Sequence, residues 1–191
     1  DNATKADYIL VTHEHFDHCD VNNINSLKKE ETRIIGPMGC ITKLTGKTNS
    51  VKPGEYFSYR DGFRAEAVEA YNTNKFRSAD QVFHPRGLGI GFVLIMDGVK
   101  IYHAGDTDNI PEMKDLANQS IDVALLPVGG TYTMTVDEAS EAAQAIKPKQ
   151  LIPMHYNSDK YGVTGINANP NELDTLLAGK DIVVNVLKPL V

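Results

Sequence analysis

Tyr8-Ile9-Leu10-Val11-Thr12-His13-Glu14-His15-Phe16-Asp17-His18 passes without a break from an apolar, β-branched run into a dense set of imidazoles and carboxylates. Residues 8–11 read as a buried strand, and the abrupt change after Thr12 puts the polar residues 13–18 at a strand end. Four metal-binding side chains, His13, His15, Asp17 and His18, fall within those six residues. In an extended or turning backbone alternate side chains share a side. His13 and His15 can therefore converge on one ion while Asp17 and His18 turn towards a second. The alternative is a polar loop that is histidine-rich by chance. It is the weaker reading, because three of the six histidines in the chain lie in this one stretch. Glu14 alternates away from its neighbours and is expected to serve the fold or face solvent. Cys19 is expected to be a small buried residue.

Outward from this motif, Val21, Ile24 and Leu27 have the spacing of a short helix over residues 21–29. A strand at 32–35 and a helix from Pro37 through about residue 44 come next, with proline at the first helical position. Pro53-Gly54 and Asp61-Gly62 mark turns between short strands across 51–71. Residues 72–87 read as a long loop, and long ordered loops are often functional. Asp97-Gly98 is a hairpin signal joining strands at 89–96 and 99–103. Helices at 111–117, 136–146 and 170–178 then alternate with strands at 123–126, 150–154 and 182–187. Thr135-x-x-Glu138 is a capping box, Asn169-Pro170 a cap followed by a helix-initiating proline, and Gly179 a stop. The pattern predicts a mixed α/β architecture, two layers of strand with helices outside.

His84, His103 and His155 each fall in a loop or at a strand end, and Asp106 comes three residues after His103. Strand-end positions hold ligands rigidly while leaving a metal open to substrate. Nitrogen and oxygen donors without thiolate suit zinc, manganese or iron. Gly129-Gly130 ahead of the capped helix offers either close backbone approach to an anionic ligand or a simple turn. Tyr132 beside it is the side chain expected to reach substrate. Gly87-x-Gly89-x-Gly91 is not a dinucleotide site, since no strand precedes it and no helix opens after it.

The 191 residues, 41% hydrophobic and 23% charged, predict one folded domain spanning 1–191. A net charge of −6 argues against a nucleic-acid partner held through phosphates. Apolar runs such as 92–96 are far too short to cross a membrane. Two cysteines cannot staple a secreted scaffold, which favours a reducing, cytoplasmic setting. Residues 1–7 lack the apolar core of a signal peptide. The expected partner is a small molecule, an anionic one included, and assembly into a homo-oligomer is compatible with the composition.

With these residues in place, the sequence resembles the metallo-β-lactamase superfamily of metal-dependent hydrolases, whose HxHxDH motif is matched at His13, His15, Asp17 and His18. Ile101-Tyr102-His103-Ala104-Gly105-Asp106-Thr107-Asp108 and Ile152-Pro153-Met154-His155-Tyr156 resemble its ascorbate-6-phosphate lactonase-like branch. The resemblance implies an α+β fold, the αβ/βα four-layer sandwich. Only twelve residues precede the motif, so the sandwich is expected to lack its N-terminal strands here. It also implies two divalent ions, zinc ahead of manganese or iron. His13 and His15 would hold the first, Asp17, His18 and His155 the second, and Asp106 would bridge them. Relatives in that branch carry Ala-x-His where this chain has Ala70-Tyr71-Asn72, so His84 is expected to replace the residue at Asn72 as the third ligand of the first site.

Catalysis is expected to involve Asp17, Asp106, Tyr132 and His103, the last as a residue behind the ligands, a substrate contact or a core histidine. Two such ions would activate a water for hydrolysis of an ester, lactone or phosphoester. The alternative is a non-catalytic metal-binding interaction or sensory module.

Overall fold

β1 (Ala6–Leu10), β2 (Lys28–Gly36) and β3 (Lys47–Ser50) form a parallel sheet in the order β1-β2-β3. Parallel neighbours need crossover connections. α1 (Val21–Leu27) and α2 (Met38–Ile41) supply them. These elements come from a computed structural model that describes residues 4–59, 61–157 and 164–188. The start of the polar lead at 1–7 thus lies partly outside the described residues.

The second sheet takes β4 (Tyr56–Ser58), β5 (Arg64–Ala70), β8 (Gly89–Met96), β9 (Val99–His103), β10 (Val123–Pro127), β11 (Gln150–Met154) and β12 (Val183–Val184). Its order is β12-β11-β10-β9-β8-β5-β4. The β9-to-β12 half is parallel and the β4-β5-β8-β9 half antiparallel. α3 (Val136–Ile146) and α4 (Glu172–Leu176) pack on its outer face with a 3₁₀ segment, Pro111–Gln119. Among the described residues, three strands on one side thus face seven on the other.

Strand alternation sorts the apolar residues into three layers. Ile34 of β2 joins Val11, Cys19, Ile24, Cys40 and Leu44 under α1 and α2. Its neighbour Ile35 points the other way, into a layer with Phe63, Ala65, Ala67, Ile90 and Phe92 that seals one sheet against the other. Val93 crosses to the far face of β8 and joins Tyr102, Ala124, Leu126 and the apolar sides of the helices. Three apolar layers between four sets of elements make the αβ/βα sandwich. Cys19 and Cys40 are free thiols buried in the first layer. Among the described residues no helix is long and apolar enough to cross a membrane.

Several elements depart from the sequence reading. The expected helix at 21–29 ends at Leu27, and β2 starts at once, four residues earlier than expected. The expected loop at 72–87 contains a small hairpin, β6 (Phe76–Ser78) and β7 (Gln81–Val82). Residues 111–119 wind as a 3₁₀ rather than an α-helix. Met113 and Leu116, three apart and both buried, eclipse in that geometry. Asn171, not Asn169, precedes α4, and Asn169 instead donates to the Glu172 carboxylate at 3.2 Å. The last expected strand shrinks to Val183–Val184.

Candidate metal centre

Every donor but one sits just past the carboxyl end of a parallel strand, where open α/β sheets place their ligands. His13, His15, Asp17 and His18 come after β1, Asp106 after β9, and His155 directly after β11. Gly89 leaves room for this convergence, since a β-carbon there would touch the His13 Cβ at 3.4 Å. His84 arrives differently, from the segment between the β6–β7 hairpin and β8.

The side chains gather into one cluster. His13 Nε2 and His84 Nε2 stand 3.1 Å and 3.2 Å from His15 Nδ1. Asp17 Oδ2 lies 3.4 Å from His18 Nε2 and 3.8 Å from His155 Nε2. Asp106 stands between the two groups. Its Oδ2 is 3.2 Å from His155 Nε2, 3.3 Å from His84 Nε2, 3.5 Å from His18 Nε2 and 3.8 Å from His13 Nε2. Three triads have donor atoms within 4.8 Å of one another: His13-His15-His84, His13-His18-Asp106 and Asp17-His18-His155.

This arrangement fits cations better than it fits a hydrogen-bond network. Asp106 Oδ1 is buried and has no hydrogen-bond partner among the described residues, a costly state for a carboxylate oxygen. Imidazoles and carboxylates without thiolate are a donor set for zinc, manganese or iron. His13, His15 and His84 could hold one ion and Asp17, His18 and His155 another, with Asp106 facing both.

The electrostatics agree. Burial, reinforced by the neighbouring His18 and opposed by Asp106, pushes the His13 imidazole down to about 2, so it stays neutral with a lone pair to give. Burial and His84 lower His15. At His18 and His155 burial also acts downward, but contact with Asp106 and Asp17 overrides it and raises them to about 9 and about 10. Asp106 falls well below the usual carboxylate range despite its burial, because His155 and His18 hydrogen-bond to it.

His84 joins the first triad and Asn72 stands behind it. Asn72 Oδ1 accepts from the His84 backbone N–H and lies 2.8 Å from His84 Nδ1. His103 belongs to none of the triads. Its Nδ1 accepts from the Gly105 N–H at 3.1 Å, steadying the turn that delivers Asp106, and burial with the nearby His18 lowers it to about 4. Glu14 pairs with Lys43 at 3.1 Å, away from the donors.

The glycine pair serves the backbone. A β-carbon at Gly129 would stand 2.5 Å from the His155 carbonyl oxygen. The helix start beyond it is not free for an anion, because Glu138 caps it, accepting from the Thr135 N–H at 2.7 Å.

A cavity of about 270 Å3 opens over the donors, and His15, Asp17, His84, Asp106 and His155 all face it. Phe16, Phe83, Tyr132 and Arg77 form its walls. Tyr132 meets Phe83 edge-on with ring centroids 4.8 Å apart. Phe16 is 68% exposed at the mouth. The sequence singles out Tyr132 but not Phe16, Phe83 or Arg77. An aromatic residue inside the HxHxDH motif is the one available signal.

The β-lactamase superfamily domain matches residues 1–155, a span that contains every donor of the three triads. A UPF0173 metal-dependent hydrolase of Thermoplasma acidophilum is 41% identical over 157 residues, covering 81% of this chain and 67% of its own length. One from Pyrococcus furiosus is 36% identical over an alignment of 193 residues, covering 99% of this chain and 81% of its own. The chain belongs to the metallo-β-lactamase superfamily, among its UPF0173 metal-dependent hydrolases. Solved structures of metal-dependent hydrolases share the fold. A proposed metal-dependent hydrolase from Parabacteroides distasonis superposes with a TM-score of 0.84 at 40% identity, over 97% of this chain and 77% of that one. Igni18, a metallo hydrolase from Ignicoccus hospitalis, gives 0.78 at 27% identity over the same shares.

Proposed function

We propose that this UPF0173 hydrolase cleaves a small anionic ester, lactone or phosphoester in the cavity above the two metal groups. One observation carries the reading: donors from both groups, with Asp106 between them, face a single open cavity. A structural metal site is normally closed by four protein ligands. In this reading His13, His15 and His84 would hold one divalent ion and Asp17, His18 and His155 the other, with Asp106 facing both groups. When bound, such ions lower the pKa of a water and polarise the oxygen of the scissile group. Asp17, exposed to the cavity, accepts the proton of the attacking water and returns it to the leaving oxygen. Tyr132, Phe83 and Phe16 bind the apolar part of the substrate and keep water from its other faces.

Arg77 supports the anionic character of the substrate. Lys75 pairs with Glu138 at 2.8 Å, and Arg86 with Glu69 and Glu112 at 3.0 Å and 2.7 Å. Arg77 has no acidic partner among the described residues and lies over the Phe83 ring at 5.6 Å. A guanidinium so placed can take a carboxylate or phosphate. The lactonase-like resemblance points to the same chemistry. The cavity lies below the size range of about 300–1,000 Å3 typical of drug-sized ligands, in keeping with a small substrate.

Zinc- or manganese-loaded protein assayed on lactones, 4-nitrophenyl carboxylic esters with and without a second carboxylate, and bis(4-nitrophenyl) phosphate tests this. Metal-dependent turnover is expected, with Arg77→Gln raising KM for the doubly functional anionic esters and leaving neutral esters unchanged. Two bound ions with no turnover on any of these would favour the non-catalytic module instead.

A further inference from the structure

Asn72 occupies the position where the family resemblance places a histidine ligand, and its hydrogen bonds can be assigned without ambiguity. A backbone N–H only donates and a carbonyl only accepts. The Asn72 atom facing the His84 N–H at 2.8 Å must therefore be the amide oxygen. The atom facing the Tyr132 carbonyl at 3.0 Å must be the amide nitrogen. These two partners fix the amide orientation. The same oxygen lies 2.8 Å from His84 Nδ1, so Nδ1 carries a proton and donates it.

We propose that Asn72 is a positioning residue for the first metal group, holding His84 in the tautomer that presents an Nε2 lone pair to a cation shared with His13 and His15. The competing tautomer has a ready partner. With its proton on Nε2, His84 would donate to Asp106 Oδ2, 3.3 Å away, and turn a hydrogen towards the cation's place. Asn72 opposes that state by offering an acceptor only on the Nδ1 side.

Asn72 is itself held firmly. Its second amide hydrogen goes to Asp108 Oδ1 at 3.0 Å. The other oxygen of that buried carboxylate accepts the Thr73 and Asn74 N–H groups at 2.6 Å and 2.9 Å. The Asn72 N–H also donates to the His84 carbonyl at 2.8 Å, so main chain and side chain both tie the end of β5 to residue 84. A hydrogen bond of this kind behind a metal-bound histidine fixes its ring and raises its basicity. The inference rests on the first metal group and is independent of which bond the hydrolase breaks.

The test compares wild type with Asn72→Leu and Asn72→Ser by zinc titration against a chromophoric chelator, alongside long-range 15N NMR of the histidines in chelator-treated protein. Wild type is expected to bind two zinc ions and to show His84 protonated at Nδ1. Asn72→Leu is expected to weaken one of the two zinc sites by about 10- to 100-fold, leave the other unchanged and shift His84 towards the Nε2–H form. Asn72→Ser keeps a hydroxyl acceptor and should lose less. Equal weakening of both sites, or unchanged affinities, would overturn the role. Should Asn72→Leu fail to fold, the wild-type spectrum and Asn72→Ser still decide: an Nε2–H His84 in wild type, or a serine variant with full affinity at both sites, overturns it. Wild type that takes up no zinc would sink the metal reading itself.

Discussion

Replacing Gly129 by alanine should damage the metal centre from behind. The added β-carbon would lie 2.5 Å from the His155 carbonyl oxygen, 3.0 Å from Ile166 Cβ and 3.1 Å from its Cγ2. Carbon–oxygen contacts normally begin at about 3.3 Å, so one side must retreat by about 0.8 Å. The obstacle is main chain and cannot swing aside. His155 already sits at φ +56°, in the left-handed region that β-carbon-bearing residues seldom adopt, which leaves its backbone little freedom to adjust. Overpacking of this kind costs about 1–3 kcal/mol. Metal–ligand distances tolerate only about 0.2 Å, so the group formed by Asp17, His18 and His155 should lose affinity by about 10-fold or more. Urea denaturation would read the first effect and zinc titration the second. Gly98→Ala is the control. It strains a turn at φ +82° where nothing lies within 4 Å, and should lower stability while both zinc affinities hold. An alanine at 129 that left the urea midpoint and both zinc affinities intact would refute the packing argument.

Removing the His84 imidazole by His84→Ala should reduce zinc from two ions per chain to one, read by elemental analysis of protein purified without chelator. Chelation of the loaded protein should lower its melting temperature, because each site contributes about 2.7 kcal/mol when free metal is 100 times its Kd; an unchanged melting temperature would argue against metal bound to the native state. Thr135→Ala removes the side chain that accepts the Glu138 N–H at 3.2 Å, and should cost about 1 kcal/mol in urea while zinc content stays the same.

The site was legible where local chemistry alone determines position. The β1 strand end, the alternation through His13 and His15, and the capped helix at Val136–Ile146 each depend on neighbours in sequence, and the structure matches them. The layered architecture could be read from the order of elements. Legibility failed where distant segments set the outcome. The β6–β7 hairpin has little periodicity of its own and is held by Asp108, more than thirty residues away, through the Thr73 and Asn74 backbone. Arg77 of that hairpin and Phe83 just after it line the cavity. Gly129 could be read as permitting close approach, but not that the approaching group would be the carbonyl of His155. The 3₁₀ winding of Pro111–Gln119 depends on burying Met113 and Leu116 together against the large sheet.

Each donor group draws on both sheets. His13 and His15, or Asp17 and His18, extend from the three-stranded side, and His84 or His155 comes from beside the seven-stranded one. Between the sheets lies the apolar layer built around Ile35 and Phe92. A cation that accepts only narrow bond lengths therefore acts as a gauge of the gap between two rigid plates. Any change that thickens or thins the filling, even one far from an imidazole, is transmitted as a misfit at the rim. Metal affinity in this protein is in that sense a measurement of how its interior is packed.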